Sequence, residues 1–122
     1  MNTKDFKNGN YKEALVECFM ELDHEVKQKE YGADTGATSC VVYTNDQHIF
    51  CANAGDSRAV LFTGSSVVAL SEDHKPDNDK ELERIKKANH FVEDSRVDGN
   101  LALSRAIGDF QYKDNKDLAP KD

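Results

Sequence analysis

The chain has 122 residues, a net charge of -7 and 38% hydrophobic residues. This length suits one ordinary domain. The acidic balance argues against a nucleic-acid partner, because phosphate backbones select basic surfaces. No apolar run approaches the length of a membrane span, and the first residues carry no apolar signal core.

The three cysteines, Cys18, Cys40 and Cys51, are scattered along the chain and include no Cys-x-x-Cys pair. Their number and spacing indicate neither a zinc knuckle nor a disulfide framework. Such cysteine usage fits a reducing compartment. We therefore expect an intracellular protein, cytoplasmic or nuclear.

The first predicted element is a helix over residues 11–30. Apolar residues recur there at helical spacing and form one stripe, which we expect to pack on a sheet. Asn10 and Glu13 have the spacing of a capping box, and Gly32 suits the end of the helix. The stripe consists of Leu15, Phe19, Leu22 and Val26.

Four short apolar runs follow between residues 38 and 70, separated by turn residues. This spacing predicts four strands joined in an antiparallel meander. The near-continuous apolar character of the runs predicts a well-buried sheet, as in a sandwich. The runs are 41–43, 49–52, 58–62 and 67–70.

The second half of the chain is more polar. Residues 71–78 read as a loop, and residues 79–88 as a charged surface helix with Asn78 and Glu81 as a capping-box pair. The dipeptide Asp98-Gly99 is typical of a two-residue hairpin turn, since Gly supplies positive φ. Residues 113–122 are polar, and we expect a frayed end.

Two Gly-Asp corners carry the candidate chemistry, at Gly55-Asp56 and Gly108-Asp109. A carboxylate at such a corner can point out of the end of a sheet, where oxygen ligands hold hard cations. It can equally stabilise its own turn through side-chain to backbone hydrogen bonds. From these residues alone, the turn is the simpler interpretation.

Arg105 lies in a mostly apolar segment, between Ser104 and Ala106. A buried arginine requires a carboxylate or carbonyl partner. Asp109 or Asp56 is the expected partner. We favour a buried structural ion pair over direct contact of Arg105 with a substrate phosphate.

A cluster of Glu72, Asp73 and His74 also suggests a metal site at first sight. Adjacent side chains in an extended loop point in different directions, so they rarely converge on one ion. A solvated or capping loop is the better interpretation.

Taken in order, the motifs resemble those of the metal-dependent serine/threonine protein phosphatases of the type 2C (PPM) family. The matching motifs are Asp-Thr-Gly-Ala-Thr-Ser at 34–39, Gly-Asp-Ser-Arg at 55–58, Asp-His-Lys-Pro at 73–76 and Ser-Arg-Ala-Ile-Gly-Asp at 104–109. Ser39 stands where the family more often has Ala. The ordered combination is very specific, and the resemblance covers the chain from Tyr11 to about Pro120.

The resemblance implies an α+β fold, part of an α-β-β-α sandwich in which two antiparallel sheets are covered by helices. Residues 1–122 are expected to form a single incomplete phosphatase-like domain, an internal fragment of the catalytic domain. The flap of the family, a variable segment beside the active-site cleft, is expected at about residues 75–96.

The reaction implied by the resemblance is hydrolysis of phosphoserine and phosphothreonine in phosphoprotein substrates with two Mg²⁺ or Mn²⁺ ions. The family takes its bridging-metal aspartates from Asp-Gly-His-Gly-Gly, Asp-Gly and Asp-Asn motifs that this sequence lacks. We therefore expect no catalytic residue within the chain and no activity of the chain alone. Asp56 corresponds to an aspartate that helps to hold a third metal in some members.

Two other functions stay open. The chain can belong to a non-catalytic, phosphatase-like protein that binds partners through its flap and sheet. An unrelated Ca²⁺ or Mg²⁺ module rests only on the number of aspartates, and the sequence has no EF-hand spacing.

Overall fold

The computed structural model describes residues 3–32 and 35–121, which form a mixed helical and stranded structure. This confirms the predicted α+β class. The helices of the described part are α1 (Lys4–Lys7), α2 (Tyr11–Lys27) and α3 (Asp79–Lys87). Its strands are β1 (Gly36–Ala37), β2 (Ser39–Thr44), β3 (Ile49–Ala54), β4 (Val60–Phe62), β5 (Val67–Ala69), β6 (Val92–Glu93), β7 (Arg96–Val97) and β8 (Ile107–Gly108).

The strands pair antiparallel, two at a time, as β1–β8, β2–β3, β4–β5 and β6–β7. All four predicted strands are present, but they form two separate hairpins, β2–β3 and β4–β5, instead of one continuous meander. The backbone between the hairpins is bonded elsewhere: the Gly55 carbonyl accepts from the His74 N–H at 3.0 Å. The Ala59 N–H donates to Ser71 Oγ at 2.9 Å. The loop before α3 therefore replaces strand pairing between β3 and β4.

Helix α2 ends at Lys27, three residues before its predicted end. The predicted capping box is wrong, because the Asn10 side chain makes no cap hydrogen bond and donates instead to Asp5 at 2.9 Å. The helix buries Ala14 and Leu15, while Leu22 of the predicted stripe is 44% exposed.

Asp23 connects helix α2 to strand β8 through a hydrogen bond. The carboxylate of Asp23 is buried and accepts from the Gly108 N–H at 2.8 Å and from Lys113 Nζ at 2.6 Å. A buried carboxylate needs such donors, since it loses its hydration on folding. The Asp23 carboxylate therefore connects helix α2 to residues that lie 85 and 90 positions later in the sequence.

The apolar strands lie largely at the surface of the described structure. In the β4–β5 hairpin, Phe62 is 68% exposed and Val67 is 65% exposed. The prediction of a well-buried sheet is therefore wrong for this hairpin as it stands in the chain, because no other described element covers it. Within the described residues, the buried apolar side chains include Ala14, Leu15, Pro76, Ile85 and Val97.

Helix α3 and the β6–β7 hairpin follow the two apolar hairpins in the second half of the chain. Helix α3 has its predicted start and ends one residue early. Asp98 and Gly99 both have positive φ, 50° and 70°, and the Asn100 N–H donates to the Val97 carbonyl at 2.9 Å. The predicted turn at Asp98-Gly99 is present, but Val97 pairs with Leu101, so the loop between the paired residues has three residues instead of two. Among the described residues, no helix combines the length and apolarity needed to cross a bilayer.

Candidate functional site

The site centres on Gly55 and Asp56, called here the corner, where the chain leaves β3. Gly55 has a φ of 111°, which disfavours any residue with a Cβ. A Cβ at this position would lie 2.3 Å from Thr38 Cγ2 and 3.0 Å from the Arg105 carbonyl oxygen. Glycine is therefore required both for the backbone turn and for the close approach of two neighbouring segments.

His74 holds the corner through two reciprocal hydrogen bonds. The Gly55 N–H donates to His74 Nδ1 at 3.2 Å, and the His74 N–H donates to the Gly55 carbonyl at 3.0 Å. Burial, with the nearby Arg105 cation, lowers the pKa of His74. A neutral imidazole with its proton on Nε2 is the form that can accept at Nδ1. His74 is thus a structural acceptor at neutral pH.

The motifs at 55–58 and 73–76 meet at two further points. Arg58 donates to the Asp73 carboxylate from Nε at 2.9 Å and from Nη2 at 2.8 Å. The Lys75 ammonium donates to the Asp56 carboxylate. Asp73 and His74 therefore bind different partners, the Arg58 guanidinium and the Gly55 backbone.

Asp56 is half-exposed, and its carboxylate is paired with Lys75. Within residues 3–32 and 35–121, no three His, Cys, Asp or Glu side chains are arranged to hold a metal ion. A two-metal centre needs several carboxylates at one place. The donors of the described chain do not fit such a centre by themselves. Assignment of Asp56 to a third metal stays a prediction.

Arg105 forms its ion pair with Glu81, which corrects the expectation of Asp109 or Asp56 as the partner. Arg105 Nη2 lies 2.7 Å from Glu81 Oε1, and Nε lies 2.9 Å from Oε2. Asp109 does not reach Arg105 because its backbone is left-handed, with a φ of 51°, and its carboxylate lies against Gly36.

Glu81 is a buried charge with several donors, and its role was missed by sequence reasoning. It also accepts from Ser104 Oγ at 2.8 Å and from Arg84 Nη1 at 3.1 Å. Burial alone would raise the pKa of the Glu81 carboxyl, but the hydrogen bonds from Arg105 and Ser104 outweigh burial and lower it. The carboxylate is therefore ionised at neutral pH.

The predicted capping box of Asn78 and Glu81 is wrong. The Asn78 side chain makes no cap hydrogen bond and donates to the Asp73 carbonyl at 2.8 Å. One feature of the sequence does indicate that Glu81 is buried. Glu81 precedes the apolar Ile85 by four residues, so both lie on one helix face. Ile85 is buried, and Glu81 is buried with it.

Asp109 has a different environment from the other acidic residues. Burial raises the pKa of the Asp109 carboxyl, and the Lys113 charge opposes this only in part. A Cβ on Gly36 would lie 2.2 Å from Asp109 Cγ, so the carboxylate fills the space beside a glycine. Asp109 is therefore a packed acidic side chain in a left-handed turn, separate from the Glu81 ion pair.

The structure brings three of the four motifs together in full and the first in part. Thr38 Oγ1 lies 2.8 Å from Ser57 Oγ, and Gly36 pairs with Gly108. Asp34, the first residue of its motif, lies outside the described residues. The four motifs, which are far apart in the sequence, thus converge on the corner.

Comparisons with known proteins give the same assignment over most of the chain. The profile of the family described as protein phosphatase 2C matches residues 1–121. Protein phosphatase 2C homolog 2 of Saccharomyces cerevisiae is 46% identical over 123 residues, covering 98% of this chain. A probable protein phosphatase 2C of Caenorhabditis elegans is 46% identical over 119 residues, covering 96% of this chain.

A solved structure and the lengths of the relatives complete the comparison. A crystal structure of a phosphatase from a pathogenic strain of Toxoplasma gondii is similar with a TM-score of 0.51 and 46% identity, over 55% of this chain and 22% of that one. The chain spans 26% of the yeast relative and 33% of the nematode relative. On the match over residues 1–121, the chain belongs to the protein phosphatase 2C family.

Proposed function

We propose that this chain acts as part of a protein phosphatase 2C catalytic domain that hydrolyses phosphoserine and phosphothreonine in phosphoprotein substrates. The observation that carries the proposal is the convergence of the family motifs on one corner, with Gly55, Asp56 and Arg58 each contacting the motif at 73–76. Separate motifs that meet at one point support a shared site better than any of them alone.

The proposal includes metal ions because the resemblance to the family implies a metal-dependent reaction. Mg²⁺ or Mn²⁺ would activate water and stabilise charge on the phosphoryl group. The described residues do not fit the two-metal centre, so the proposed role of this chain is to hold the Asp56 carboxylate and the flap segment in position. We further propose that the 122-residue chain alone has no phosphatase activity.

The test grafts the chain in place of the aligned segment of the Saccharomyces cerevisiae relative. We expect the grafted protein to hydrolyse a phosphothreonine peptide with Mn²⁺, and the 122-residue chain to release no phosphate under the same conditions. Mn²⁺-stimulated turnover by the chain alone, lost on Asp56→Ala, would contradict its proposed inactivity. A folded but inactive graft would contradict the proposed enzyme function.

A non-catalytic, partner-binding protein is the second candidate. The contact of the Lys75 ammonium with Asp56 favours it, because a paired carboxylate is less available to a cation. Turnover by the graft and by its Lys75→Met variant distinguishes the two functions. Under the enzyme hypothesis, the variant retains turnover and needs no more Mn²⁺ than the unmodified graft. Under the second hypothesis, neither protein turns over substrate.

A further inference from the structure

A continuous series of hydrogen bonds connects helix α3 to the corner. At the helix, Glu81 accepts from Ser104 Oγ at 2.8 Å and from Arg105 Nη2 at 2.7 Å. The Ser104 backbone N–H donates to the His74 carbonyl at 3.1 Å. His74 then exchanges its two hydrogen bonds with the corner. The Glu81 carboxylate therefore joins α3 to the segment 104–105, and His74 joins that segment to the corner.

We propose that Glu81 is a positioning residue that holds the corner, and with it the Asp56 carboxylate, in place from helix α3. The inference rests on the proposed function for the importance of Asp56, but the physical link is independent of it. Helix α3 lies in the segment that the family resemblance assigns to the flap. The link thus gives the flap a direct means of changing the orientation of a carboxylate at the site.

The low exposure of Glu81 makes it the residue of the link that water is least able to replace. The Glu81 side chain is 6% exposed, whereas the Arg105 side chain is 29% exposed. Water cannot readily replace a carboxylate at a site so little exposed. Loss of Glu81 therefore leaves Ser104 Oγ without its acceptor and leaves Arg105 with the longer contact to the Lys121 carbonyl, at 3.3 Å. Both residues also lie close to the far side of the link. The Ser104 N–H donates to the His74 carbonyl, and the Arg105 carbonyl oxygen would lie 3.0 Å from a Cβ at Gly55. A shift of the 104–105 backbone therefore reaches the corner directly.

Helix α3 has a second contact with the same segment, because Arg84 Nη1 donates to the Ser104 carbonyl at 3.3 Å. This contact is longer than the Glu81 hydrogen bonds and is therefore the weaker link. Glu83, two residues after Glu81 in the helix, is exposed. It has the same charge and the same helical environment, but it faces solvent. Glu83→Gln is therefore the matched control for Glu81→Gln, since both remove one carboxylate charge from α3.

The test records NMR spectra of the 122-residue chain and its variants at neutral pH. Glu81→Gln is expected to shift the Gly55 amide proton upfield, to shift the Asp56 amide and carboxyl carbon resonances, and to change the tautomer population of His74 seen in the imidazole nitrogen shifts. Glu83→Gln is expected to leave all these resonances unchanged. Glu81→Asp, which keeps the charge, is expected to restore them in part.

The result that overturns the proposal is a folded Glu81→Gln variant in which the Ser104 and Arg105 resonances move but those of Gly55, Asp56 and His74 do not. If Glu81→Gln does not fold, Ser104→Ala and Arg105→Lys test the same link at milder cost. Unchanged Gly55 and Asp56 resonances in both also overturn it. These spectra do not depend on turnover, so an inactive graft would contradict the proposed function without affecting this result.

Discussion

Glu81 and Arg105 form a two-point ion pair between helix α3 and the segment before β8, with distances of 2.7 and 2.9 Å. The pair is 24 residues apart in sequence. It is reinforced by Ser104 and Arg84, which donate to the same carboxylate. This cluster is the main polar connection between α3 and the motif at 104–109.

Removal of Glu81 is expected to destabilise the chain strongly. Glu81→Ala leaves the Arg105 guanidinium partly buried without its counter-charge, a change that typically lowers the free energy of unfolding by about 3 kcal/mol. Glu83→Ala, on the exposed face, is expected to have little effect. Urea unfolding followed by circular dichroism measures both. A Glu81→Ala variant as stable as Glu83→Ala would show that the pair contributes no net stability.

The free energy of unfolding is expected to decrease as the pH falls, because the His74 imidazole becomes protonated. Burial lowers the pKa of His74 in the folded state, so the unfolded chain binds a proton first as the pH falls. This contribution is complete above the ordinary histidine pKa of about 6.5. It is lost progressively as the pH falls toward the lower, folded-state pKa. Thermal unfolding at pH 7.5 and pH 5.5 measures the difference.

His74→Asn separates this effect from the other histidines. The Asn carbonyl oxygen can accept from the Gly55 N–H but does not titrate in this range. We expect a smaller difference between the two pH values than in the wild type, while His48→Asn, at an exposed position, leaves the difference unchanged. An undiminished pH dependence in His74→Asn would assign it to another group.

Asp109→Asn is expected to stabilise the chain at neutral pH. Burial raises the pKa of Asp109, so the carboxyl favours folding at low pH and this contribution is lost as the pH rises through the folded-state pKa. Asn removes the charge and is itself common in left-handed conformations such as the φ of 51° here. Thermal unfolding at pH 7 should occur at a higher temperature than in the wild type.

The control for Asp109→Asn is Asp117→Asn, which removes the same charge from an exposed position. If both substitutions raise the unfolding temperature equally, the gain comes from the lower net charge of the chain and not from burial of Asp109. A lower unfolding temperature for Asp109→Asn alone would show that the carboxylate is stabilising where it lies.

Elements fixed by neighbouring residues were predictable from the sequence. Helix α3 follows from its charge pattern, although the capping box expected at its start does not form, and the Asp98-Gly99 turn follows from the backbone preference of Gly. These features depend on interactions within a few residues, which a sequence pattern contains directly. The contacts between the motifs at 55–58 and 73–76 were not predicted, because no pattern within either motif specifies a partner 15 or 19 residues away.

Partners chosen by tertiary packing were not predictable in the same way. The sequence predicts Asp109 or Asp56 as the partner of Arg105. A left-handed backbone at Asp109 turns that carboxylate toward Gly36, and the Asp56 carboxylate is paired with Lys75. The spacing of Asn78 and Glu81 favours a local capping role for Glu81. Its burial depends on Ile85 facing the core, and on how the segment 104–109 packs against α3.

Gly55→Ala is expected to be far more harmful than Gly64→Ala. Both glycines have positive φ, 111° and 87°, but a Cβ at Gly64 would meet nothing within 4 Å. We expect Gly64→Ala to cost about 1–2 kcal/mol from the backbone alone. Gly55→Ala should add ~1–3 kcal/mol for overpacking against Thr38 and the Arg105 carbonyl. Equal losses in urea unfolding would mean that the neighbours of Gly55 move aside freely.

The exposed β4–β5 hairpin is expected to make the isolated chain self-associate. Phe62 and Val67 are both more than half exposed, and each strand of this two-stranded sheet has an unpaired edge. Contiguous apolar surface and open strand edges favour association. Phe62→Lys removes apolar surface and adds a charge at the edge, so we expect a larger monomer fraction by sedimentation velocity.

Gln47→Lys is the control for this substitution, since it adds the same charge at an exposed turn without removing apolar surface. If the hairpin drives association, Gln47→Lys leaves the sedimentation profile near that of the wild type while Phe62→Lys shifts it toward the monomer. Equal shifts would attribute association to the net charge of the chain. A wild-type chain that is monomeric and unfolds cooperatively at high temperature would contradict the prediction. It would show that the β4–β5 hairpin is stable while its apolar residues are exposed to water.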